Sequence, residues 1–183
     1  MLAPVAERAK STRRFTPAAI AALLAVVVLA HPAALFASGR DGGIQFYAHV
    51  FPVQGPHWTR GAIGEFGAPR DGGRTHEGFD IVAACRTPLL AAATGLVLRA
   101  GYDPVLYGNY LLIHGQGEQR SYFYAHLVRP AVVDRGDRVW AGERVGAVGK
   151  TGNARTVGCH LHFEIHLHGR PIDPAPELEH WDR

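Results

Sequence analysis

From His160 to His168 polar and apolar residues alternate without a break: His160, His162, Glu164, His166 and His168 on one parity, Leu161, Phe163, Ile165 and Leu167 on the other. A period of two belongs to the β-strand, whose alternate side chains share a face, so this segment predicts a strand with one buried apolar face and one polar face. Thr94 to Ala100, Tyr110 to His114, Ser121 to His126 and Arg144 to Val148 predict further strands, separated by clusters of Gly, Pro, Asn and Asp. After the first 38 residues no amphipathic helical pattern is found. The pattern predicts one all-β domain of ordinary size, without internal repeats.

The N-terminus has a different pattern. Arg8, Lys10, Arg13 and Arg14 precede an apolar run from Ala18 to Ala30, then His31-Pro32 and Ala33 to Ala37, which is the layout of a secretory signal. The uninterrupted run is short against the roughly 20 residues of a membrane span. Reading through His31 and Pro32 lengthens it to Ala37, so an uncleaved membrane anchor stands beside the cleaved signal. Leu35, at the −3 position of a cut after Ala37 where a small residue is usual, marks a cleavage site poorly. Either reading places the rest of the chain outside the cytoplasm. The expected organisation is a signal or anchor over 1–38, a linker over 39–50 that begins with the Gly-rich stretch Gly39 to Gly43, the main domain over 51–176 and a tail over 177–183.

Setting the leader aside changes the charge picture. Four of the 19 Lys and Arg and one of the 16 Asp and Glu precede Ser38, leaving 15 of each sign. The basic character belongs to the leader; the domain has no basic stripe and no interleaved aromatics, which excludes a nucleic-acid partner. The sequence leaves the oligomeric state open.

The polar face of the 160–168 strand carries the candidate chemistry. His160 and His162 project together, and neutral imidazole is a common metal ligand. Upstream, His76 and Asp80 stand four apart, a spacing that gives one face on a strand and on a helix alike; Gly78 between them and Ile81-Val82 after them favour the strand. His126 ends the run Tyr122-Phe123-Tyr124-Ala125 and shares parity with both tyrosines. Three separate segments thus each deliver a histidine. Glu164 lies roughly 7 Å along a strand from His162, the distance of a partner or rim residue; His166 and His168, roughly 13 and 20 Å away, read as solvated histidines. His114 before Gly115 reads as structural or groove-lining.

Together these segments resemble the lysostaphin/LytM-type zinc endopeptidases of bacterial cell walls, whose three blocks, in the same order, are a His-x-x-x-Asp, a Tyr-x-His-Leu-like histidine and a His-x-His. Supporting turns match as well, among them Gly72-Gly73-Arg74, Thr87-Pro88, Tyr107-Gly108-Asn109 and Thr151-Gly152, and the likeness covers about Phe51 to Pro174. It implies a small domain of antiparallel sheets of the duplicated hybrid motif or barrel-sandwich type, with a groove holding one zinc ion. It further implies that His76, Asp80 and His162 bind Zn2+, that His126 and His160 act as catalytic residues on water and substrate, and that Asn109 is a groove residue. Three protein ligands leave a fourth position for water, whose pKa zinc lowers to about 7. The absence of a His-Glu-x-x-His helix argues against a carboxylate base of the thermolysin kind.

The implied partner is peptidoglycan, and the implied activity is hydrolysis of its cross-links or stem peptides through a zinc-activated water. The alternative is a catalytically silent LytM-type domain that binds the wall and regulates another hydrolase; a proteinaceous substrate is a third reading. Members of the silent kind commonly lack a ligand or catalytic histidine, whereas all five positions are filled here. Cys85 and Cys159 flank the two segments that must meet at the ion, so a disulfide is expected, closing a 75-residue loop for roughly 4 kcal/mol. Thiolate ligation is the competing reading. Arg86 departs from the glycine that the family often carries before its Thr-Pro pair.

Overall fold

The structure, a computed structural model, describes residues 48–183. The leader and the start of the linker lie outside these residues. Among the described residues ten strands form: β1 (His57–Thr59), β2 (Phe79–Ala83), β3 (Pro88–Leu90), β4 (Gly95–Asp103), β5 (Gly108–Gly115), β6 (Arg120–Leu127), β7 (Arg138–Val139), β8 (Arg144–Ala147), β9 (His160–Leu167) and β10 (Arg170–Ile172). All pairings are antiparallel. The main sheet runs β1-β2-β9-β6-β5-β4-β7 with β10 also on β9, and β3 and β8 form a second, two-stranded sheet.

The alternation along β9 decides where the core lies. Leu161, Phe163 and Ile165 are fully buried, and Tyr122, Tyr124, Leu111, Ile113 and Val97 join them from neighbouring strands, against Leu89 and Val145 of the small sheet. Burying such side chains stabilises by about 1.5–3 kcal/mol each, which makes the register of β9 expensive to shift. Tyr124 satisfies its buried hydroxyl by accepting from the Ala92 amide at 2.7 Å. The opposite face of β9 is thereby committed to the site.

On one edge of β9, β2 covers the first half and β10 the second; β6 runs along the other edge. β2 and β9 pair with Asp80 opposite His162 and Val82 opposite His160. Just beyond this ladder the Cys85–Cys159 disulfide fastens the two strands, with Cα atoms 5.2 Å apart, and no cysteine is free for a thiolate site. Arg86 follows with φ of 74°, a left-handed conformation that costs a side chain about 1–2 kcal/mol and that glycine adopts readily.

At both ends of the 51–176 range the chain continues into the same packing. Residues 177–181 of the expected tail belong to a short helix, α1 (Ala175–Trp181), whose Leu178 is buried in the core. Trp181 packs against the same core and stacks on His49, from the stretch read as linker, at 5.0 Å. Seven residues with apolar positions at Leu178 and Trp181 are too few to display a helical period. Among the described residues no helix is long and apolar enough to cross a membrane.

Candidate metal centre

The polar faces of β2 and β9 meet at Asp80 and His162, and the loop before β2 brings His76 to the same point. That loop can approach because residue 78 is glycine: a Cβ there would stand 2.5 Å from the Phe163 carbonyl oxygen and 2.9 Å from the His162 ring. His76 Nε2 lies 2.8 Å from His162 Nδ1 and 3.0 Å from Asp80 Oδ1, and His162 Nδ1 lies 3.2 Å from the same oxygen. All three residues are buried.

The outer atoms of the same side chains are committed elsewhere. His76 Nδ1–H donates to the Glu65 carbonyl at 2.8 Å, and His162 Nε2–H donates to Glu164 Oε1 at 2.7 Å. In the neutral rings His76 Nε2 and His162 Nδ1 therefore carry lone pairs, not protons, and both face Asp80 Oδ1. Three converging lone pairs repel unless a cation lies among them. The electrostatics agree. Burial opposes charge on His162, but hydrogen bonds to Asp80 and Glu164 outweigh it and raise its pKa to about 9. Asp80 is held far below the usual carboxylate range: its burial is overcome by its close contacts with His162 and His76. Glu164, likewise buried, is lowered to about 2 by His162 and His166. The pocket asks for positive charge, and two imidazole nitrogens with one carboxylate oxygen are a donor set for a divalent ion.

Glu164 thus holds His162 from behind, the usual device for fixing a ligand's tautomer and orientation. His166 is not simply solvated: its Nε2–H donates to the second Glu164 oxygen. His168 is exposed, and so is His114, which bonds Ser121 at 3.2 Å away from the cleft. Asn109 is buried and donates to the Leu127 carbonyl at 3.2 Å, so its side chain braces β5 against β6.

His160 and His126 complete the cleft in another way. Each donates Nδ1–H to a backbone carbonyl, His160 to Gly158 at 2.9 Å and His126 to Thr151 at 2.9 Å, which leaves Nε2 with its lone pair. Burial lowers the pKa of both, that of His126 to about 3 with further depression from His160 and His162. His160 Nε2 is 3.8 Å from Asp80 Oδ1, and the rings of His126 and His160 are 4.8 Å apart.

His126 reaches this cleft only through a backbone irregularity. By parity it belongs with Tyr122 and Tyr124, which point into the core opposite Ile165 and Phe163. Between the Tyr124–Leu111 and Leu127–Asn109 pairs β6 carries one residue more than β5, and His126 has φ of 65°. This bulge turns the side chain from the core face to the polar face. Positive φ on a residue other than glycine is the kind of backbone strain that collects at functional sites.

The resulting cleft has a volume of about 770 Å³ and is also lined by Tyr107, Arg60, Arg70 and Arg74. The sequence pattern assigns these four no role at the site. Arg60 and Arg70 lie in a segment without strand or helix periodicity, and only the fold brings them beside Asp80.

The sequence model of peptidase family M23 matches residues 74–174. The DD-carboxypeptidase/endopeptidase Mpg of Neisseria meningitidis serogroup B is 37% identical over 117 residues, covering 60% of this chain and 26% of that protein. The chain spans about a fifth to a quarter of the length of the curated relatives it matches first. Among solved structures, a zinc-containing peptidase from Vibrio cholerae superposes with a TM-score of 0.60 at 28% identity, covering 69% of this chain and 39% of that one. The catalytic domain of lysostaphin from Staphylococcus simulans superposes with a TM-score of 0.56 at 29% identity, covering 63% and 89%.

Proposed function

The chain belongs to peptidase family M23, and from that premise we propose that it is a zinc-dependent endopeptidase hydrolysing peptide cross-links or stem peptides of bacterial peptidoglycan. The observation that carries this reading is the convergence of His76 Nε2, Asp80 Oδ1 and His162 Nδ1 within 3.2 Å, with no proton of the neutral rings between them. These three residues would hold the ion, which supplies Lewis acidity for water and for the scissile carbonyl.

The remaining steps belong to the protein. Neutral His126 and His160 present Nε2 lone pairs to the cleft; one accepts the proton released by attacking water, and the protonated ring then donates toward the developing charge or the leaving amine. Their ties to Thr151 and Gly158 hold the rings in that tautomer. Glu164 keeps His162 from turning. The disulfide suits an oxidising compartment outside the cytoplasm, and relatives named peptidoglycan DD-endopeptidases support the wall as substrate.

Incubation of purified, zinc-loaded protein with isolated sacculi, followed by mass spectrometry of the soluble products, tests the reading. Release of peptides with newly formed amino and carboxyl ends is the expected result. Binding to sacculi with every peptide bond left intact would favour the silent regulatory domain.

A further inference from the structure

Two arginines stand directly behind the acidic member of the metal centre. Asp80 Oδ1 faces the histidines, while Oδ2 accepts from Arg60 at 3.2 Å and pairs with Arg70 at 3.6 Å. Arg60 is fixed from its own side: a Cβ on Gly64 would lie 2.6 Å from Arg60 Cβ and 3.1 Å from Asp80 Cβ, so the turn after Arg60 fits closely against both. Arg70 stands at the base of a hairpin closed by its amide donating to the Arg74 carbonyl at 2.9 Å. Their side chains are 26% and 23% exposed, and both line the cleft.

One carboxylate oxygen is a poor match for two guanidinium groups. Each guanidinium has five N–H donors in a planar fork suited to a two-pronged grip on a carboxylate. Among the contacts described, Arg60 spends one on Asp80, and Arg70 adds one to the Pro69 carbonyl at 3.2 Å. The other acids of the cleft do not cancel the pair. Glu164 is buried and taken by His162 and His166, while Asp71 and Glu77 are exposed, where water and salt screen them. Positive charge is thus in excess on this wall, and an ion held by Asp80 would add to it.

The geometry points to Arg60 and Arg70 as an anion subsite that grips a free carboxylate of the peptide substrate, next to the bond being cut. The site lies one carboxylate's width from the metal-binding atoms, and an extended peptide advances about 3.3–3.6 Å per residue. The recognised group therefore belongs to the residue flanking the scissile bond or to its neighbour. The substrate class is a cross-link whose flanking residue keeps a free carboxylate, as at a D-alanyl-diaminopimelate bond, in contrast to an uncharged glycyl-glycine bridge. This inference rests on the peptidase reading above and narrows it.

The test compares two cross-linked dimers of peptidoglycan stem peptides, identical except that the diaminopimelate carboxylates are free in one and amidated in the other. Dissociation constants and kcat/KM are measured on zinc-loaded protein, with metal content recorded for every variant. The free-acid dimer is expected to bind about tenfold tighter or more. In Arg60→Gln and Arg70→Gln that preference should fall toward one. Equal affinity of the wild type for the two dimers, or an equal loss on both in the variants, would overturn the subsite and leave the arginines as partners of Asp80 alone. If neither dimer is hydrolysed the peptidase reading fails, while the binding preference still decides for or against the subsite. Arg60→Lys and Arg70→Lys keep the charge without the fork and serve where a Gln variant does not fold; an intermediate preference supports the two-pronged grip, and no change in preference counts against it.

Discussion

Two pairs of histidines share one cleft and are prepared for different work. His76 and His162 turn one ring nitrogen each toward a carboxylate, and each is held on its outer side, by the Glu65 carbonyl and by Glu164. His126 and His160 are held by the carbonyls of Thr151 and Gly158, and burial keeps them neutral. All four are buried. What separates them is the placement of negative charge: Asp80 and Glu164 bracket His162, whereas among the described residues no carboxylate pairs with His126 and His160 meets Asp80 only at 3.8 Å. The pair in close contact with carboxylates suits a cation; on the proposed reading the other pair, of which His160 comes no nearer to Asp80 than 3.8 Å, accepts a proton.

Breaking the first pair should have the largest effect. His162→Ala removes a donor and leaves Glu164 and Asp80 without the group that neutralises them, so zinc retention and turnover should both be lost. Glu164→Gln is the graded form of the same experiment, since the amide can still accept from His162 Nε2–H but lacks charge; zinc affinity should fall about ten- to hundredfold. Metal titration with a competing chelator reads both. Unchanged zinc affinity in Glu164→Gln would mean that the carboxylate behind His162 contributes nothing to the ion.

A smaller effect sharpens the contrast through pH. Without metal, His162 has a folded-state pKa of about 9 against an ordinary value of 6.5. A raised pKa contributes stability that is complete below pH 6.5 and is lost as pH rises through 9. His126 has the opposite sign: its pKa is lowered to about 3, so stability present above 6.5 drains away as pH falls toward 3. Chelated protein should thus lose up to about 3 kcal/mol between pH 6.5 and 9. Zinc-loaded protein should show no such alkaline loss, because the ion replaces the proton on His162. Urea denaturation across this range, with and without chelator, separates the two curves; the same alkaline loss in both forms would contradict the assignment.

How far this arrangement can be read from the sequence depends on how regular each strand is. β9 keeps its alternation over its full length, so the polar face of His160, His162 and Glu164 and the apolar face of Leu161, Phe163 and Ile165 are both legible from residue order alone. β6 is legible only as far as Tyr124. The bulge at His126 reverses the face of that histidine, and neither parity nor propensity signals it. Gly78 is visible as a strand-favouring gap, but its need to let the His76 loop touch β9 follows only from the pairing of Phe79 with Phe163. Arg60 and Arg70 are silent, since loop arginines carry no pattern and these two acquire a role only when tertiary structure sets them against Asp80. Trp181 is hidden for a similar reason, its helix being too short to show a period.

The central claim is the division between the two pairs, and it is tested most directly by measuring zinc content and turnover together in His126→Ala and His160→Ala. Each variant should retain close to one zinc per chain and lose about 10²- to 10⁴-fold in kcat, the usual contribution of a positioned acid or base. Loss of the metal together with activity in either variant would contradict the division, and so would full activity with the metal in place.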